Sequence, residues 1–240
     1  MVSKNQIKLI TSLQQKKYRK QEQLFFVEGV KGVQELLDSN FELHELFTTK
    51  ADFGSVSKSK VHTITADELK KISALTTPNT CLATFKIPAA VTFEEKGLIV
   101  ALDDVRDPGN LGTIIRLCDW FGIETLFCSE ESVDVYNPKV VQATMGSISR
   151  VNVVYGNLEK LLSETKLPVY GTFMDGKNIY KETLPNEGII VMGNEANGIS
   201  KAVENLVSQR IAIPRFGDLQ ATESLNVATA TAIILSEFKR

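Results

Sequence analysis

Beyond residue 97, short apolar runs alternate with amphipathic segments. This is the pattern of an α/β domain with a mostly parallel sheet and helices on both faces. The runs at 97–103, 125–128, 151–155, 169–173, 189–192 and 210–213 predict strands. Helical spacing predicts helices over 110–121 (stopped by Gly122), 139–145, 158–164, 200–207 and from about 224 to 238. Asn137 and Pro138 supply an N-cap and a first-turn proline for the second of these. Upstream the order is mixed. A helix over 5–14 precedes the apolar run Phe25, Phe26, Val27, an amphipathic helix over 30–37, and strand-like runs at 43–48 and 61–65. Thr65 and Glu68 have capping-box spacing before Leu69 and Ile72, and a strand over 81–87 stops at Pro88. The stretch 88–97 reads as a linker, giving a small α/β domain over 1–90 and a second domain over 97–240.

Three segments of the second domain each follow an apolar run, carry a glycine and lead into a helical pattern: LDDVRDPGNLGTIIR, VMGNEANGIS and IPRFGDLQATESLNVATA. Loops at the carboxyl ends of parallel strands converge on one crevice, so three polar loops that permit close backbone approach describe a ligand site.

Composition places the chain among ordinary globular proteins: 240 residues, 43% hydrophobic and 23% charged. No apolar stretch is long enough to span a bilayer and the N-terminus lacks a signal-peptide core, so a cytoplasmic location and no membrane partner are expected. Cys81, Cys118 and Cys128 lack metal-ligand spacing, and His44 and His62 are the only histidines, so neither a metal site nor a histidine-based triad is expected. The formal net charge is −2, yet Lys4, Lys8, Lys16, Lys17, Arg19, Lys20 and Lys31 face only Glu22 and Glu28 within the first 31 residues. A local basic patch on an acidic body suits RNA phosphates, and equally suits a solvated helix face.

The three segments resemble, in order and wording, the signature motifs of the SpoU (TrmH-like) family of RNA 2′-O-ribose methyltransferases, in the SPOUT superfamily. The first motif has Asn110 and Arg116 at the family spacing, the second Met192-Gly193-Asn194-Glu195, and the third Ile213-Pro214 with Ser224-Leu225-Asn226. The resemblance implies a C-terminal trefoil knot, S-adenosyl-L-methionine as cofactor, and a homodimer formed through the knotted domain. The run KKYRKQEQLFFVEGVKGVQELL is similar to the ribosomal-protein-like substrate domain that precedes the knot in many members. The implied substrate is structured RNA, 23S ribosomal RNA before transfer RNA. The motif departs from the family in Arg215, where members commonly carry methionine, and in a longer 216–223 segment.

By resemblance, Arg116, Asn110, Glu195, Ser224 and Asn226 are the catalytic set, and Thr172, Gly193, Ile213 and Leu225 lie against the cofactor. Methyl transfer needs donor and hydroxyl held in line and the hydroxyl proton managed; it requires no metal. The family assigns the counterpart of Arg116 to activation of the ribose hydroxyl. Neutralising a guanidinium in water at pH 7 costs about 8 kcal/mol. This favours a charged Arg116 that orients the adjoining phosphate and stabilises the developing alkoxide over a free base. Asn110 can cap its helix or bond the arginine. Glu195 can pair with a cation or fix its loop. Ser224 and Asn226 precede a helix whose N-terminal donors either receive an anion or merely initiate the helix. Two other readings are a dinucleotide site, for which the GxGxxG fingerprint is missing, and a non-catalytic RNA-binding module of the same fold.

Overall fold

The computed structural model describes residues 1–50, 53, 54, 56–89, 93–217 and 224–240. The linker expectation over 88–97 and the long 216–223 segment therefore fall partly outside the described residues, at 90–92 and 218–223. The chain divides into two compact units, Met1–Ala89 with Asp134–Ser149, and Ala90–Val133 with Arg150–Arg240. The segment Asp134–Ser149 thus groups with the first unit, although it lies inside the expected 97–240.

In the first unit, α1 (Lys4–Ser12) and α2 (Lys16–Glu22) precede β1 (Leu24–Glu28), α3 (Val30–Leu37), β2 (Leu43–Thr48), β3 (Val61–Thr63), α4 (Ala66–Ile72) and β4 (Cys81–Lys86). The sheet order is β1-β4-β2-β3, antiparallel except for β2 with β3. The capping box forms: Thr65 accepts from the Glu68 amide while Glu68 accepts from the Thr65 amide. Ile10, Leu13, Phe26, Phe47, Leu69 and Ile72 close one core. The polar sequence KKYRKQE carries no apolar period, which is why α2 is absent from the pattern-based reading. Arg19 does not join the basic face. It is 2% exposed, donates to Asp134 through Nε at 3.0 Å and Nη2 at 2.5 Å, and reaches the Leu13 carbonyl at 2.8 Å. Lys4, Lys8, Lys16, Lys17, Lys20 and Lys31 stay exposed.

The second unit runs β5 (Leu98–Leu102), α5 (Pro108–Trp120), β6 (Thr125–Ser129), β7 (Asn152–Gly156), α7 (Leu158–Glu164), β8 (Val169–Asn178), β9 (Gly188–Met192), α8 (Lys201–Glu204), β10 (Gln209–Ala212) and α9 (Val227–Phe238). The helix α6 (Pro138–Thr144), between β6 and β7, belongs to the first unit. The six strands are all parallel, in the order β10-β8-β9-β5-β6-β7. β5 and β9 are buried along their whole length, so both faces are covered. Ile99, Ala101, Ile189 and Val191 pack on Leu158, Leu161 and Leu162 of α7 and Val203 of α8. The alternate residues face the other way, on the side where Tyr170 of β8 meets Phe238 of α9, and α9 lies along α5. The buried face of α9 (Val227, Ala228, Thr231, Ile234, Leu235, Phe238) is spent on this core.

Two features of this sheet position the site. The chain leaves β5 towards β6 on one side and leaves β9 towards β10 on the other, so the adjacent pair β5–β9 is a topological switch point. β10 pairs with residues 170–171 of β8 and then with 177–178, so the intervening residues leave the ladder. At Gly176 a β-carbon would stand 2.4 Å from the carbonyl carbon of Ile211, so the two backbones meet at a distance only glycine allows.

Candidate active site

The loop after β5 is built from its acidic residues. Asp103, 7% exposed, accepts from the Ser200 amide at 2.6 Å. Asp104 takes φ +57° and donates its amide to Ser129 Oγ at 3.0 Å. Asp107 caps α5, accepting from the Asn110 amide at 2.8 Å, with Pro108 in the first turn. Capping therefore falls to Asp107, and Asn110 sits one turn in with its side chain committed elsewhere. The D-P pair preceding the helix was the readable signal for this cap.

The loop after β9 folds back on itself. Asn194 and Gly198 exchange two backbone hydrogen bonds of 2.9 Å, and Asn194 Oδ1 accepts from the amides of Ala196 and Asn197. Asn194 Nδ2 donates to the Asp104 carbonyl at 2.6 Å, joining this loop to the first. A β-carbon at Gly193 would lie 2.2 Å from the Gly198 carbonyl carbon and 2.3 Å from Ile199 N, so the turn requires glycine.

Glu195 presents its carboxylate to the start of α5. It accepts from Asn110 Nδ2 at 3.0 Å and from the amides of Asp107 at 3.2 Å and Arg106 at 3.3 Å. Burial pushes this carboxyl up. The hydrogen bonds from Asn110, its own backbone, Asp107 and Arg106 outweigh burial and hold it below the ordinary glutamate value. Asn110 Oδ1 in turn accepts from Asn226 Nδ2 at 2.8 Å, and Asn226 Oδ1 caps α9 by accepting from the amides of Ala228 and Thr229. The polarity is fixed at both ends. A carboxylate only accepts and the helix amides only donate, so neither amide side chain can flip without losing a partner. Glu195, Asn110 and Asn226 thereby link all three loops. Because Asn226 is the cap, α9 begins at Val227 rather than near 224, and its first donors are held by Asn226.

Beside residues 172–174 of β8 and at the ends of β9 and β10 lies a cleft of about 1170 Å³. Thr172, Gly193, Ile213 and Leu225 line it, as do Glu195, Ser224 and Asn226. Thr172 Oγ1 also donates to the Val191 carbonyl at 3.1 Å. Asn110 does not line the cleft but stands behind it through Glu195 and Asn226. Arg116 is outside the lining, exposed on α5, with no hydrogen bond or ion pair among the described residues. The sequence reading missed Phe173, Met174, Tyr180 and Phe216, which also line the cleft; no polar or glycine signal marks them. Apolar walls with backbone groups at Gly193 suit the adenosyl part of a cofactor, and the volume suffices for one.

A parallel α/β sheet with a cofactor-sized cleft at β8, β9 and β10, and with the loop after β5 hydrogen-bonded behind it, defines a nucleotide-cofactor enzyme of the open-sheet class. The chain belongs to the SpoU rRNA Methylase family, which matches residues 97–236; residues 4–83 match the MRM3-like substrate binding domain. It is an RNA 2′-O-ribose methyltransferase that uses S-adenosyl-L-methionine. It is 29% identical to the Bacillus subtilis 23S rRNA (guanosine(2553)-2′-O)-methyltransferase RlmP, over 97% of this chain and 96% of that protein. A TrmH-family protein from Porphyromonas gingivalis has a similar structure, with a TM-score of 0.91, 41% identity and coverage of 100% of this chain and 98% of that one. An AdoMet-bound rRNA methyltransferase from Sinorhizobium meliloti superposes with a TM-score of 0.84 at 28% identity, covering 99% and 96%.

Proposed function

We propose that this protein methylates a ribose 2′-hydroxyl of 23S ribosomal RNA, working in the cytoplasm as a homodimer with a C-terminal trefoil knot. The observation that carries the reading is the Glu195–Asn110–Asn226 chain of hydrogen bonds, which ties the two motif loops that line the cleft to the first motif loop behind them. S-adenosyl-L-methionine held there supplies an electrophilic methyl group. Gly193, Ile213, Leu225 and Thr172 hold its adenosyl part by backbone contacts and apolar cover. Glu195 and Asn226 keep the loops together, which holds the groups at the cleft in register. Ser224, at the cleft edge, orients the incoming nucleotide. The family resemblance assigns Arg116, exposed and outside the cleft lining, to the phosphate beside the target and to the developing alkoxide.

The first unit supplies the RNA grip. Its exposed Lys4, Lys8, Lys16, Lys17, Lys20 and Lys31 offer a phosphate footprint, and its match to a substrate binding domain supports that use. Support for ribosomal RNA comes from relatives named for it along nearly the full chain.

Methyl incorporation from labelled S-adenosyl-L-methionine into unmodified ribosomal RNA, with transfer RNA as the second substrate, tests the reading. Incorporation into ribosomal RNA alone is expected. Incorporation into transfer RNA alone moves the substrate, and cofactor binding without transfer to either makes the chain a non-catalytic RNA-binding module. Calorimetry with NAD in place of the methyl donor tests the dinucleotide reading and is expected to show no uptake.

A further inference from the structure

Of the eight large hydrophobic side chains that stand exposed among the described residues, four line this one cleft: Phe216 at 83%, Met174 at 64%, Leu225 at 49% and Tyr180 at 37%. Single exposed apolar residues are ordinary, whereas four on one rim make a patch that a ligand covers. The Phe216 and Tyr180 ring centroids are 6.4 Å apart with planes inclined by 33°. Tyr180 comes from a short 3-10 turn, Ile179–Lys181, whose start is capped by Asn178, so it is the better anchored of the two. Arg215 donates to Met174 Sδ at 3.4 Å, which places a cation on the same rim. Phe216 follows directly on the position where the third motif departs from its family.

We propose that Phe216, backed by Tyr180, is the stacking platform for the base of the nucleotide whose ribose is methylated. The inference rests on the ribosomal-RNA reading above and deepens it. Presenting a 2′-hydroxyl to a cleft requires the nucleotide to be lifted from its neighbours, so its base loses stacking partners that an aromatic face can replace. A base fits this occupant better than the cofactor does. The deep walls around Ile213 and Gly193 serve an enclosed ligand, while Phe216 turns most of its surface outward beside Arg215, as a polyanion's base requires. Stacking tolerates any base, so Phe216 contributes affinity and positioning, and sequence choice lies elsewhere.

The test uses the full chain with ribosomal RNA from cells lacking the protein, labelled S-adenosyl-L-methionine, and the variants Phe216→Ala, Phe216→Leu and Phe216→Trp. Because the side chain is exposed, these variants are expected to melt like the wild type. Phe216→Ala is expected to raise the KM for RNA by about 5- to 150-fold, with cofactor affinity by calorimetry unchanged. Phe216→Trp should restore the wild-type KM and Phe216→Leu should not, because leucine keeps apolar area without a π-face. Equal KM for wild type and Phe216→Ala, rescue by leucine as good as by tryptophan, or a loss that tracks weakened cofactor binding each overturns the proposal. A wild-type protein that transfers no methyl to this RNA refutes the substrate reading, and the platform with it; an unimpaired Phe216→Ala beside an active wild type refutes the platform alone.

Discussion

Replacing Asn110 by Asp converts the donor at the centre of the loop network into a second carboxylate. Asn110 Nδ2 donates to Glu195 Oε1 at 3.0 Å, so the variant loses a hydrogen bond to a charged group, worth about 1.5 kcal/mol. It also sets two negative charges at nearly that separation, which costs about 1.4 kcal/mol even in water's dielectric. Glu195 is solvent-exposed, so the side chains can swing apart and salt screens the repulsion. A net penalty of about 2 kcal/mol on the closed loops follows, or about 30-fold in S-adenosyl-L-methionine affinity. Asn110→Ala loses hydrogen bonds without adding a charge and, at about 1.5 kcal/mol, should cost about 12-fold. The pH dependence separates the two. In the wild type the Glu195 carboxyl is held low, so its contribution is present above the ordinary glutamate value and is lost as pH falls through the lowered one. In Asn110→Asp one carboxyl of the pair is pushed up. The penalty is therefore present at neutral pH and shrinks as pH falls towards about 5. Calorimetric titration of both variants from neutral pH to about 5 reads this directly. Identical affinities for Asp and Ala at every pH, or wild-type affinity for both, would refute the network's role in closing the cleft.

Arg116→Lys keeps the charge and loses the planar fork, so kcat should fall about 100-fold with no new ionisation in its pH profile; a profile following a depressed amine would instead make this position a base. Gly193→Ala places a β-carbon 2.2 Å from backbone, so the loop after β9 must move; a loss of about 2 kcal/mol in cofactor binding is expected by calorimetry, and intact binding would contradict the close approach. Lys16→Ala, Lys17→Ala and Lys20→Ala together should lower the slope of log affinity for RNA against log salt by about 2. Arg19→Ala should instead destabilise the first unit by about 3 kcal/mol in urea, because it strands Asp134, whose side chain is only 16% exposed.

Much of the second unit was legible because a parallel sheet writes itself as apolar runs separated by helical periods, and its three glycine-bearing loops stand out against that regularity. Local chemistry was equally readable: Thr65 and Glu68 form the box their spacing implies. What stayed hidden depends on contacts far apart in the chain. Glu195 lies 85 residues from Asn110 and Asn226 lies 116 from it, so nothing in either motif shows that one amide serves both. Arg19 reads as one more cation in a basic run until Asp134, 115 residues on, takes it out of solvent. The grouping of Asp134–Ser149 with the first unit has the same origin. Phe216 and Tyr180 were silent for the opposite reason, since isolated aromatics in loops carry no period.

On the proposed function, the loops tied by Glu195, Asn110 and Asn226 serve methylation of a ribose in 23S ribosomal RNA. Mapping 2′-O-methyl positions across total RNA from cells with and without this protein tests it most directly. One 23S position should lose its methyl group in the deletion and regain it on complementation with the wild type, and less completely with Asn110→Asp. An unchanged map, or a loss confined to transfer RNA, contradicts the account.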